Sequence, residues 1–249
     1  MRIGYSTLGC PAWSWERIVE EARRHGYDGI ELRGVGEQLE LPASDLFGPQ
    51  RLPETLTTLR EARLQVCCLG SSASFHDPAG WEANLRSALA YVELAASLGA
   101  PFVRVFGDRI PDPSRADETC RAIAQALNRL GRAAVERNVT VLLETHGSFS
   151  RSDRLARVME LVEPGLRDGA VGVLWDVHHP FRLAGEPIGE TWNRLGAWVR
   201  HVHLKDSVLR ERAGPAARPA TQPRPAQGAP ADPAPPPFRY CRVGEGDVP

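Results

Sequence analysis

The feature that most constrains this fold is a regular alternation of short apolar runs with longer amphipathic segments. Seven runs have the length and residue types of buried β-strands: residues 2–6, 29–33, 64–70, 102–107, 139–144, 170–176 and 198–206. Helical periodicity fills the intervals. In residues 79–98, for example, Leu85, Leu89, Val92 and Ala96 recur at spacings of three and four. Repeated βα units of this kind predict a parallel sheet with right-handed crossovers.

The number of units favours a closed barrel over an open sheet. The first predicted strand is not followed by the Gly-rich loop of dinucleotide-binding domains, and 249 residues is an ordinary length for a barrel. We therefore predict an α/β fold of the TIM (β/α)8 type over residues 1–212. The pattern stops after about seven units. An eighth βα unit is expected to be missing, and truncation of a longer protein is favoured over completion of the barrel by another chain.

The segment after residue 212 departs from the pattern. Residues 213–237 contain nine prolines and almost no large apolar side chain. Such a composition buries too little surface to offset the entropy of ordering, so we predict a disordered or polyproline-like insertion. Residues 238–249 are expected to lead toward the missing eighth strand, with Glu245 in a loop.

Charge and cysteine content exclude several classes of protein. The 30 Lys and Arg residues balance 31 Asp and Glu residues, which gives no electrostatic reason to expect nucleic acid or a membrane surface as partner. No apolar run is long enough for a signal peptide or a spanning helix. The five cysteines form no CxxC pair, and Cys67 and Cys68 lie in a strand-like run where cysteine is usually a small buried apolar residue. A cytoplasmic protein is the expectation.

Three consecutive predicted strands end in residues able to bind a metal ion. Glu144 ends residues 139–144, Asp176 ends residues 170–176, and His203 lies near the end of the following strand. In a β/α barrel these ends meet at the open face. Carboxylate and imidazole donors on neighbouring strands suit Mn²⁺, Co²⁺, Mg²⁺ or Zn²⁺. The alternative is that each residue is an isolated polar strand end that is solvated or caps a helix. The occurrence of such residues on three consecutive strands favours the metal site.

Three motifs carry a family resemblance. LLETHG, LWDVHHP and HVHLKD, in this order and spacing, resemble the sugar phosphate isomerase/epimerase group of xylose isomerase-like TIM barrels. GYDGIELR, LGAPFVRVFG and the late GEGDV fit the same superfamily. The resemblance implies that Glu144, Asp176 and His203 are metal ligands, with His203 preferred to His201 because it directly precedes LKD. It implies that His179 contacts the metal or the substrate, and that a fourth ligand, a glutamate of strand eight, is missing.

The resemblance also implies an activity. The expected protein is a metal-dependent sugar or sugar phosphate isomerase or epimerase that acts through an enediolate, with a divalent metal cofactor and a small sugar or polyol substrate. Glu144 is the expected base, and His179 is the second catalytic candidate. An inosose dehydratase-type lyase needs the same first step, and a non-catalytic sugar-binding barrel is the alternative from another class. Endonuclease IV-type activity is disfavoured, because the fourth strand ends without a histidine.

Three further residues are candidates for substrate binding. His76 follows the third predicted strand, Arg104 lies within the fourth and is suited to an anionic substrate group, and Lys205 follows His203 closely enough to assist electrostatically. The alternatives are that His76 caps a helix or lies on the surface, that Arg104 pairs within the protein, and that Lys205 is an exposed loop residue. An open barrel would also expose the apolar flanks of its first and last strands, so homo-oligomerisation is left open.

Overall fold

The computed structural model describes residues 1–210 and 237–249. The chain divides into two compact units, Met1–His203 and Leu204–Pro249. The predicted insertion at 213–237 lies, except for Pro237, outside the described residues, as do the last two residues of the predicted barrel region. Its lack of regular structure therefore stays a prediction.

The first unit is built on one parallel sheet whose strands follow one another in chain order. Its seven strands are β1 (Gly4–Ser6), β2 (Gly29–Leu32), β3 (Gln65–Ser74), β4 (Phe102–Phe106), β5 (Thr140–Glu144), β6 (Val171–Asp176) and β7 (Val199–His203). Sequential parallel order is that of a (β/α)8 barrel, which confirms the predicted fold class. Within the described part of the chain, no further strand pairs with the outer edge of β1 or of β7.

Helices follow the strands as the periodicity predicts. They are α1 (Trp15–Arg24), α2 (Leu52–Ala62), α3 (Trp81–Leu98), α4 (Ala116–Val135), α5 (Ser152–Leu161), α6 (Pro164–Arg167), α7 (His178–Ala184) and α8 (Ile188–Leu195). Helix α1 begins after Ser14, whose hydroxyl accepts a hydrogen bond from the Arg17 amide. Helix α7 starts two residues after β6, and its Pro180 lies in the first turn, where proline is tolerated. No helix of the described segments is both long and apolar enough to cross a bilayer.

The hydrophobic core has two layers. The larger one lies between the sheet and the helices, which face it with one apolar stripe each, as Leu85, Tyr91 and Val92 of α3 do. The smaller one fills the inside of the barrel with Cys68, Leu142, Leu174 and the partly buried Phe102. Side chains on both faces of a strand are therefore buried, as every residue of β2 and β6 is. Cys68 is fully buried, as the sequence predicts, whereas Cys67 is only partly buried.

The prediction of one strand over residues 198–206 is wrong. Strand β7 ends at His203, and Asp206 begins β8 (Asp206–Leu209), which pairs antiparallel with β9 (Phe238–Cys241) in the second unit. The carboxylate of Asp206 accepts hydrogen bonds from the backbone amides of Ser207, Gly244, Gly246 and Val248 at 2.8–3.2 Å. Burial raises the pKa of Asp206, but these four bonds outweigh it and lower the pKa. The GEGDV segment thus folds around this carboxylate, with Glu245 in a loop.

Candidate metal centre

The three predicted ligands converge at the carboxyl ends of their strands. One ligand atom of each of Glu144, Asp176 and His203 lies within 4.8 Å of the others. His203 Nδ1 is 3.7 Å from Glu144 Oε1 and 3.9 Å from Asp176 Oδ2. Register explains part of this: Asp176 and His203 are direct neighbours across β6 and β7, so their side chains leave the same face of the sheet. Both carboxylates are buried.

Thr145, which sequence analysis did not single out, fixes Asp176. Its hydroxyl donates to the Asp176 carbonyl at 3.1 Å and accepts from the Asp176 amide at 2.9 Å. The Asp176 carboxylate in turn accepts a hydrogen bond at 3.0 Å from the amide of His178, the first residue of α7. The sequence signal for Thr145 is its place directly after Glu144 at a strand end. Backbone and side chain of Asp176 are thus held before any ion binds.

His179 lies beside the three converging residues. Its Nδ1 donates a hydrogen bond to the Thr145 carbonyl at 2.8 Å, since a carbonyl oxygen only accepts. The same nitrogen is 3.7 Å from Asp176 Oδ2 and 4.0 Å from Glu144 Oε1. Asp176, His178 and His179 form a second group whose ligand atoms lie within 4.8 Å of one another. The structure therefore brings the two predicted catalytic side chains, Glu144 and His179, together.

Arg104 contacts a carboxylate of the chain itself. Its Nε is 3.0 Å from Glu144 Oε2, and both side chains are nearly inaccessible. One terminal nitrogen donates to the Ser71 carbonyl at 2.7 Å, and the guanidinium carbon lies 3.9 Å from the centre of the Phe106 ring. These contacts fix the Glu144 carboxylate at the mouth of the barrel. Binding of a substrate anion by Arg104 stays a prediction.

A second carboxylate, Glu31 of β2, reaches His203 from the other side. His203 Nε2 donates to Glu31 Oε2 at 2.7 Å, and His201 Nε2 is 3.5 Å from the same oxygen. Burial lowers the pKa of His203, but the Glu144 and Glu31 carboxylates outweigh it and raise the pKa to about 9. Burial raises the pKa of Glu31, and the hydrogen bonds of the two histidines hold it well below its usual range. Neither partnership was predicted.

His76 belongs to a separate cluster around Asp108, two residues after the end of β4. His76 Nδ1 is 3.9 Å from Asp108 Oδ2, and His146 Nδ1 is 3.4 Å from Asp108 Oδ1. Asp108 has a φ of +62°, and a Cβ at Gly147 would lie 2.0 Å from its carbonyl oxygen, so the glycine of LLETHG is required there. His76 lines a cleft with Arg109 and Ser148. Lys205 belongs to the second unit. Substrate roles for both stay predictions.

The donor set fits a divalent cation. Two buried carboxylates and one imidazole supply hard oxygen and borderline nitrogen ligands from three rigid strand ends. The hydrogen bonds that Thr145 accepts from Asp176 and that Glu31 accepts from His203 hold these ligands in place, as outer contacts do in metal sites. Glu144, Asp176 and His203 are thus suited to bind Mg²⁺, Mn²⁺ or Zn²⁺.

Comparison with known proteins identifies a matching family model and a curated relative. A family model described as xylose isomerase-like TIM barrel matches residues 19–248. The inosose dehydratase of Mesomycoplasma hyopneumoniae strain 7448 is 24% identical in an alignment of length 206 that covers 78% of this chain and 62% of that protein. The chain therefore spans less than two thirds of the length of this curated relative.

Solved structures share the fold. A xylose isomerase-like TIM barrel protein from Mycobacterium smegmatis in complex with magnesium is 19% identical, with a TM-score of 0.64 over 84% of this chain and 76% of its own. The 3-keto-D-glucoside 4-epimerase of E. coli is 18% identical, with a TM-score of 0.64 over 83% of this chain and 79% of its own. At these identities the likeness concerns the fold alone.

Proposed function

The chain belongs to the xylose isomerase-like TIM barrel family, and we propose that it is a metal-dependent isomerase or epimerase of a sugar or polyol. The observation that carries the proposal is the convergence of Glu144, Asp176 and His203 at three strand ends, with His179 beside them. Glu144, Asp176 and His203 would hold the ion. A bound divalent cation supplies Lewis-acid stabilisation of the negative charge that develops on a substrate carbonyl oxygen.

The chain's own residues move the protons. The Glu144 carboxylate takes the proton from the carbon next to the substrate carbonyl. The ion pair with Arg104 and the burial of both side chains hold this carboxylate in one orientation. His179 Nδ1 donates to the Thr145 carbonyl, so Nε2 is the ring nitrogen that takes up and returns a proton. Return of a proton to the opposite face of the same carbon gives an epimer. Return of a proton to the former carbonyl carbon, with transfer of the hydroxyl proton from the neighbouring oxygen to the former carbonyl oxygen, gives an isomer.

A dehydratase is the second candidate, favoured by the name of the curated relative, inosose dehydratase. The first step is the same proton transfer to Glu144. The bond to a hydroxyl on the neighbouring carbon then breaks, and His179 Nε2 supplies the proton with which that hydroxyl leaves as water. The two candidates differ only after the shared step, so one experiment can test that step and then separate them.

The test is exchange of substrate protons for deuterium in D₂O. The reaction is run with Mn²⁺, which is removed before ¹H NMR spectra are recorded. Two probes suffice, a 2-ketohexose and a keto-inositol. We expect deuterium at the carbon next to the carbonyl of one probe, at a rate reduced at least about a hundredfold by Glu144→Gln or His179→Gln. Glu118→Gln, an exposed glutamate paired with Arg115, is the matched control and should exchange normally.

Product identity then decides between the candidates. An epimer or isomer supports the leading proposal, and an unsaturated ketone with loss of water supports the dehydratase. If neither probe takes up deuterium, or if Glu144→Gln exchanges at the wild-type rate, the assignment of Glu144 as base is contradicted.

A further inference from the structure

Glu31 is a buried carboxylate to which the proposed reaction gives no role. It lies on β2, while its hydrogen-bond partner His203 lies at the end of β7, so the bond joins the second and the last strand of the sheet. Glu31 is 4% exposed. A carboxylate is seldom placed inside a barrel without a charged partner, because burial of an unpaired charge is strongly unfavourable.

Strand alternation directs Glu31 into the barrel. Its neighbours Ile30 and Leu32 belong to the core between the sheet and the helices, so Glu31 leaves the opposite face of β2. Its register partner is Cys68, which belongs to the apolar layer inside the barrel. Glu31 therefore faces the barrel interior.

The two ring nitrogens of His203 face different carboxylates. Nε2 donates to Glu31 at 2.7 Å, whereas Nδ1 faces Glu144 and Asp176 at 3.7 and 3.9 Å. A carboxylate that accepts from Nε2–H leaves Nδ1 as the nitrogen with a lone pair to donate, in the carboxylate–histidine–metal arrangement common in metal sites. We propose that Glu31 is the positioning residue that orients His203 and selects Nδ1 as its metal-binding atom. This inference rests on the proposed function.

The competing role for Glu31 is as a metal ligand. Glu31, His201 and His203 also have ligand atoms within 4.8 Å of one another. Two ligands with bonds of about 2.0–2.1 Å lie about 3.4 Å apart in a tetrahedral site and about 2.9 Å apart in an octahedral one. The Glu31 to His203 distance of 2.7 Å is shorter than either value and is that of a direct hydrogen bond. The geometry therefore favours positioning over ligation.

The first test is calorimetric titration of the full chain with Zn²⁺ alone. Glu31→Leu removes the acceptor, and Glu31→Gln keeps an acceptor oxygen without the charge. We expect Zn²⁺ affinity to fall about 10–100-fold in Glu31→Leu and by a smaller factor in Glu31→Gln. His201→Gln is the matched control, since it alters the neighbour of Glu31 on β7 and should leave affinity within twofold of wild type.

A second readout follows the nitrogen itself. In ¹⁵N NMR of the Zn²⁺-loaded wild type, His203 should show a proton on Nε2 and the metal on Nδ1. Binding through Nε2, or an affinity within twofold of wild type in both Glu31 variants, would overturn the inference while leaving the metal site intact. Equal weakening in His201→Gln and Glu31→Gln would also overturn it and assign Glu31 as a ligand. Failure of the wild type to bind Zn²⁺ would overturn the proposed function and this inference together. If Glu31→Leu does not fold, Glu31→Gln and the wild-type spectrum decide.

Discussion

The guanidinium of Arg104 and the carboxylate of Glu144 form a buried ion pair, with Nε 3.0 Å from Oε2. Arg104 comes from the middle of β4 and Glu144 from the end of β5, the neighbouring strand. The pair therefore links the proposed base to the rigid wall of the barrel. Its energetic consequence can be tested apart from any activity.

Breaking this pair from one side should destabilise the fold. Arg104→Met removes the guanidinium from the buried ion pair with Glu144, and removal of one member of a buried pair costs about 3–5 kcal/mol in comparable cases. The double variant Arg104→Met, Glu144→Leu removes both charges and should recover most of that loss. Urea unfolding monitored by circular dichroism measures the free energies of unfolding.

The control is Arg115→Ala, which breaks an exposed pair with Glu118 and should leave the unfolding midpoint unchanged. A single variant Arg104→Met as stable as wild type would show that the ion pair contributes nothing to the fold.

The convergence of the three candidate ligands was predictable because each lies at or near the end of an apolar run. Parallel strands bring the ends that carry Glu144, Asp176 and His203 to one edge. The partners of these residues were not predictable. Arg104 reaches Glu144 from the neighbouring strand, and Glu31 reaches His203 across the barrel. Strand periodicity indicates which face a side chain leaves, but not which partner it reaches.

The break after β7 escaped prediction for a similar reason. HVHLKD alternates as a strand should, and the apolar Val202 and Leu204 continue the pattern. The chain instead starts a new strand at Asp206, whose carboxylate binds amides about 40 residues further along. Long-range capping of this kind has no local sequence signal.

Stability of the metal-free protein should depend on pH through His203. Its folded pKa is raised from 6.5 to about 9, so its contribution is fully present below pH 6.5 and is lost as the pH rises through 9. With a chelator present, the urea midpoint should therefore fall more between pH 6 and pH 9.5 for the wild type than for His203→Gln.

Replacement of the exposed His25 by Gln is the matched control and should keep the wild-type pH dependence. An identical pH dependence in His203→Gln would show that the carboxylates around His203 do not hold its proton.

Gly246→Ala should open the loop around Asp206 in the second unit. A Cβ at this position would lie 2.0 Å from Asp206 Oδ1, so the loop must shift and its hydrogen bonds to the carboxylate are lost. Hydrogen exchange should show loss of protection at the amides of Gly244 and Val248.

Gly189→Ala serves as the comparison, because an added Cβ there meets nothing within 4 Å and the residue lies in α8. Unchanged protection at Gly244 and Val248 in Gly246→Ala would mean that the amide cage around Asp206 does not form.

We propose that Glu144, Asp176 and His203 bind one divalent ion, and anomalous diffraction from crystals of the full chain grown with Mn²⁺ would locate that ion. We expect a single strong peak bonded to one oxygen of each carboxylate and to Nδ1 of His203, at about 2.0–2.3 Å. A peak among Glu31, His201 and His203, or no peak within the barrel mouth, would contradict it.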